Sequence, residues 1–276
     1  MKSQSPHSHY LADFVNSFHF TRQFCKTLLL DAISFGGIGL VFFLFFLYLQ
    51  NTAESMFGGK TADQLQLFLL NGPTEQVANF TSELQFFLII FIVGTVVLLI
   101  GGFLWLSYTR QQVWKTLMPS TTPSLSRYSR WCGLTAMLSI FTLVYALLAA
   151  MLRTIISLLF TSLGENAVAL SGTLASVVFI LVLFFIGFAA AYGLQSKGKV
   201  FEGISFGLAR LTANKSRTAT VFGFGVLILA ILSLFLYLLH NATYLSEATM
   251  VVVNAIIFVL YLSWLRWYYY GAVIKG

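Results

Sequence analysis

The chain has 276 residues, 58% of them hydrophobic and only 9% charged, and Phe alone supplies 28. Soluble domains carry about 25% charged residues, so a single water-facing globule is excluded and the solvent for most of this chain is lipid. The formal charge of +7 does not point to nucleic acid, because the basic residues flank apolar runs, where they orient spans.

Residues 1–26 hold His7, His9, Asp13, Asn16, His19, Arg22 and Lys26 without an apolar h-region, so no cleavable signal peptide is expected. Over 10–26, Leu11, Phe14, Val15, Phe18 and Phe24 recur at helical spacing, with Asp13, Asn16, Arg22 and Lys26 on the other side. This pattern predicts an amphipathic helix lying in the headgroup layer. A first span follows at about 28–49, then the longest polar stretch, punctuated by Gly58-Gly59 and Asn71-Gly72-Pro73. Within that stretch 62–70 reads as a short interfacial helix.

The second span is predicted at about 84–108, followed by Arg110, Lys115, a Pro/Ser/Thr loop, Arg127 and Arg130. The third, about 132–163, is unusually long and carries Arg153, where the helix either tilts or breaks. The fourth is predicted at about 167–194. A basic segment, 195–217, then contains a second amphipathic stretch at 200–211, where Phe201, Ile204, Phe206 and Leu208 interleave with Glu202, Ser205 and Arg210. Spans five and six fall at about 220–239 and 250–270. The expected fold class is therefore all-α: one membrane domain, a bundle of about six transmembrane helices, with interfacial helices before spans one and five.

Placing both termini in the cytoplasm puts 14 of the 16 Lys and Arg residues on that side and leaves only Lys60 and Arg153 elsewhere. The positive-inside bias makes this the expected orientation of a multi-pass cell-membrane protein. Trp105, Tyr108 and Trp131, with Trp264, Trp267, Tyr268, Tyr269 and Tyr270, mark the inner interface as amphipathic anchors. The sequons at Asn79 and Asn241 lie within a few residues of a span, where a modifying enzyme has poor access.

Three polar residues in or near spans are candidates for function: Asp31, Arg153 and Asn254. Asp31 enters near the inner surface, where a carboxylate suits the positive start of a helix, proton coupling or cation binding being the alternative. From Trp131 to Arg153 is about 33 Å of helix, so Arg153 is expected to reach the outer headgroups and to pair with Glu165 or an acid of the first outer loop. Asp31 and Arg153 then sit at opposite faces and are not expected to meet. Asn254 is expected to hydrogen-bond between helices. Gly36, Gly37, Gly39, Gly94, Gly101, Gly102, Gly187, Ala191, Gly223 and Gly225 suit close helix approach. No catalytic residue, metal ligand or cofactor is assigned, because the spans hold too few titratable groups at a shared depth.

The entry at 14–26 and the segment Phe201-Glu-Gly-Ile-Ser-Phe-Gly-Leu-Ala-Arg210 before a span resemble uncharacterised six-span prokaryotic membrane families likened to the membrane domain of glycerophosphodiester phosphodiesterases. The resemblance implies a membrane bundle and imports no catalytic residues, since phosphodiester chemistry there belongs to a soluble domain. The expected function is that of a non-enzymatic accessory or scaffold protein. Its partners are the lipid bilayer and other membrane subunits or further copies of the chain. The alternative is a permease-like transporter subunit whose partner ATPase docks on 109–131 or 195–217.

Overall fold

A computed structural model describes residues 6–119, 125–160, 164–242 and 246–275. These residues form α1 (Pro6–Asn16), α2 (Arg22–Phe57), α3 (Ala62–Asn71), α4 (Thr74–Leu117), α5 (Leu125–Leu159), α6 (Glu165–Lys197), α7 (Val200–Ala213), α8 (Lys215–Ala242), α9 (Glu247–Tyr269) and a terminal π-helical segment (Tyr270–Lys275). There is no strand among them. Six helices, α2, α4, α5, α6, α8 and α9, are long and apolar enough to cross a bilayer. Helix is the natural outcome, because each helix satisfies its own backbone donors and acceptors where no water can.

Several spanning helices outrun the hydrocarbon. At 36 and 44 residues, α2 and α4 extend about 54 and 66 Å against a core of about 30 Å. The start of α2 is set by a cap, not by a change in apolarity. The Thr21 hydroxyl accepts from Phe24 N at 3.2 Å and starts α2. The amphipathic pattern expected as one helix over 10–26 is therefore divided: α1 stops at Asn16, the chain turns, and Arg22 and Lys26 belong to the first spanning helix. α5 runs unbroken through Arg153 to Leu159.

The chain forms two compact units. One is Ile33–Leu106, which holds most of α2, all of α3 and most of α4. Thr61 and Gln64 form a reciprocal capping box that starts α3. Phe80 meets both Phe57 and Phe68 through their rings, and Lys60 lies 4.3 Å over Phe68. Phe45 lies against Gly94, where a Cβ would fall within 2.5 Å of the ring. An apolar cavity of about 400 Å³ runs along Gly37, Val41, Val97, Gly101 and Trp105.

The other unit comprises the residues up to Ala32 and from Ser107 onward. Its core includes the buried Trp114, Trp131, Leu181, Phe185, Leu265 and Tyr269. From Tyr261 to Tyr270 every residue except Trp267 is buried, so this part of α9 is enclosed on all sides. Trp264, Tyr268, Tyr269 and Tyr270, expected as interfacial anchors, are core residues. Trp264 Nε1 donates to Ser17 Oγ at 3.0 Å, and the Tyr270 hydroxyl donates to Leu117 O at 2.8 Å. Phe14 stacks on Phe224 at 4.1 Å and meets Trp264 edge-on.

The closest helix pair is α6 with α7. Gly198, in the left-handed region at φ 71°, ends α6 and returns its N–H to Leu194 O. The chain then runs back along α6, with Gly203 against Gly193 and Gly207 against Ala189. The amphipathic stretch expected at 200–211 is thus α7, bound to α6 along its glycine face, while Phe201 on the opposite side is 76% exposed.

Candidate functional site

Asp31 lies in the third turn of α2, with a side chain only 1% exposed. Isolated there, a carboxylate would be prohibitively unfavourable, and the fold surrounds it with donors. Arg266 of α9, also 1% exposed, binds it with both terminal nitrogens: Nη1 to Oδ1 at 3.0 Å and Nη2 to Oδ2 at 2.6 Å. Arg110 of α4, 22% exposed, reaches Oδ1 at 3.1 Å. The Ser263 hydroxyl, one turn before Arg266, donates to Oδ2 at 2.5 Å. Four donors from two helices thus occupy both oxygens, the fork geometry being the one a guanidinium offers a carboxylate.

Two cations and one anion leave the three groups with one net positive charge. Arg266 Nε is buried without a protein acceptor. With both oxygens already bonded, the carboxylate has little capacity left for a cation. What the arrangement does is tie the start of α2, the end of α4 and the buried part of α9 together at one depth.

Arg153 stands apart from this cluster. It is exposed on α5, and its guanidinium lies beside Gly172 of α6, where a Cβ would come within 3.2 Å of both Arg153 Nε and Ser157 Oγ. The side chain of Glu165, its expected partner, falls outside the described residues. Asn254 is exposed on α9, about 10 Å along the helix from Glu247 and about 15 Å before Trp264. Among the described residues its carboxamide has no hydrogen-bond partner within the chain. None of the described cavities is lined by Asp31, Arg153 or Asn254. Among the described residues, no three His, Cys, Asp or Glu side chains come together as a metal site would require.

Of the three sequence candidates, only Asp31 enters the cluster. Arg110, Ser263 and Arg266 were not singled out, because Arg110 and Arg266 served to orient the chain. A signal was present. Asp31 lies three residues inside the start of span one and Arg266 four residues inside the end of span six, which places opposite charges at one depth. Comparison with known protein families, with characterised proteins and with solved structures finds no match.

Proposed function

We propose that this is a multi-pass protein of the cell membrane that acts by lateral association with other membrane proteins, as an accessory or scaffold component with no catalysis of its own. The observation that supports the reading is Asn254. A carboxamide on the outward face of an apolar helix, unpaired among the described residues, loses several kcal/mol of hydrogen bonding to lipid. A second helix laid against that face restores it. Asp31 fits the same reading, since its oxygens are already committed to Arg110, Ser263 and Arg266.

Asn254→Val is expected to weaken self-association or subunit association by about 3- to 30-fold, matching an interhelical hydrogen bond of about 0.6–2 kcal/mol. The checks are affinity purification in mild detergent with mass spectrometry, and cross-linking of Asn254→Cys in native membranes. An Asn254→Cys that forms no cross-link, together with an Asn254→Val that retains every partner, overturns the reading. Co-purification of a nucleotide-hydrolysing subunit would move the chain to the permease alternative.

Both termini are placed in the cytoplasm on the strength of the 14 basic residues on that side. A fluorescent-protein fusion at the C-terminus is expected to mature and a periplasmic phosphatase fusion to stay inactive; the opposite pair of results inverts the orientation.

A further inference from the structure

Between α1 and the terminal π-helical segment lies a cavity of about 230 Å³, lined by Asp13, Asn16, Trp267, Tyr268, Tyr270 and Lys275 among others. Its lining carries one carboxylate and one ammonium. Asp13 and Lys275 are not paired with each other, nor, among the described residues, does either form an ion pair elsewhere. Lys275 Nζ lies instead 5.1 Å over the Tyr270 ring. Tyr268 is 2% exposed, and among the described residues its hydroxyl has no hydrogen-bond partner. The hydroxyl is not one of the fully buried unpaired atoms, so it opens onto the space around it: Tyr268 borders both this cavity and the narrow cleft beside it, where Asp13 and Arg217 also lie.

We infer that this cavity binds a phosphoethanolamine group, a zwitterion with a primary ammonium and a phosphate, in addition to any role in association. The ammonium lies toward Asp13, where a carboxylate accepts N–H bonds and the Trp267 and Tyr268 rings attract a cation. The phosphate lies toward Lys275 and the Tyr268 hydroxyl. A purely anionic ligand leaves Asp13 repelled and uncompensated, and a quaternary ammonium has no N–H to give it. Ligands of drug size fill about 300–1,000 Å³, so this cavity fits a headgroup and not a whole lipid. Its level on the chain, beside the basic flanks of the spans, is that of the headgroup layer.

The test uses the purified full-length chain. Native mass spectrometry in an equimolar mixture of phosphatidylethanolamine, phosphatidylcholine and phosphatidylglycerol is expected to retain the ethanolamine lipid at least about fivefold over the others. Loss of one charge-assisted contact is expected to reduce that retention about tenfold in Asp13→Asn and in Lys275→Met, and loss of the hydroxyl about threefold in Tyr268→Phe. A parallel thermal-shift arm adds free O-phosphoethanolamine. Stabilisation by the free ester identifies a soluble ligand and retention of the lipid alone identifies a headgroup; either sustains the zwitterion. Equal retention of the three lipids with no shift from the free ester overturns it. So does wild-type retention in a folded Asp13→Asn. Lys275→Met, at an exposed position, serves if Asp13→Asn does not fold.

Discussion

Gly193→Leu is expected to unseat α7 from α6 and lower stability by at least about 3 kcal/mol, near a hundredfold shift toward unfolded or locally opened chain. The obstacle is backbone. A Cβ at residue 193 would stand 1.7 Å from Gly203 O, and one at 207 would stand 1.9 Å from Ala189 O. At 203 it would meet Leu194 N at 2.6 Å and Gly193 C at 2.8 Å. No rotamer change relieves such a contact, so the helices must separate. Ala189 and Gly193 on α6, like Gly203 and Gly207 on α7, are four apart and share one helix face, the small-residue spacing that lets backbones approach closely in membranes. Even Gly193→Ala and Gly207→Ala are expected to be strongly destabilising. Gly223→Ala is the control: nothing lies within 4 Å of its Cβ position, and Ala improves helix propensity by up to about 1 kcal/mol. Thermal unfolding in detergent, with protease sensitivity across 198–217, reads both. A Gly193→Leu protein as stable as the control would show that α7 does not pack on α6 in this way.

That hairpin shows where the sequence is legible and where it is not. The six spans were readable because each is a property of one contiguous stretch, set by the thickness of hydrocarbon it must cross. Gly187 was marked as a packing position, yet its Cβ would meet nothing within 4 Å. The contact falls instead on Gly193, Gly203 and Gly207, two of which sit in a segment whose apolar and charged residues alternate as those of an interfacial helix do. Amphipathicity says that a helix has two faces; it does not say whether the smaller face meets lipid or another backbone. Helix ends were missed for a related reason. Hydropathy falls off where a span leaves the lipid, whereas α2 begins at the Thr21 cap and α4 runs on to Leu117. The α9 aromatics illustrate the same limit: Trp264, Tyr268 and Tyr269 have the composition of an interfacial belt, but Phe14, Phe185 and Phe224 cover them. Arg110 and Arg266 were counted for their sign and location along the chain. Their pairing with Asp31 spans 79 and 235 residues and is fixed only by how the helices assemble.

Asp31→Asn is expected to destabilise the chain by about 3–5 kcal/mol, the usual penalty for removing one partner of a buried ion pair. The carboxamide keeps the size of the side chain but leaves Arg266, 1% exposed, without a counter-charge and facing Arg110. Arg266→Met is expected to cost a similar amount, because it strands the buried carboxylate. Arg110→Met should cost only about 1 kcal/mol, since the carboxylate keeps Arg266 and Ser263 and the like charge facing Arg266 is removed. Ser263→Ala removes one of four donors and should fall between them at about 1–2 kcal/mol. The decisive variant is the double replacement Asp31→Leu with Arg266→Met. If the cluster is structural, the two losses are strongly non-additive, with a coupling of at least about 2 kcal/mol, because neither charge is left stranded. If Asp31 instead carries protons or cations for transport, Asp31→Asn leaves unfolding unchanged and abolishes flux in proteoliposomes. Unfolding midpoints for Asp31→Leu and the four single variants above, together with the double one, close the cycle and separate these outcomes. The geometry favours the first: each carboxylate oxygen is already bonded to two protein donors, and a proton arriving at either must displace one of them.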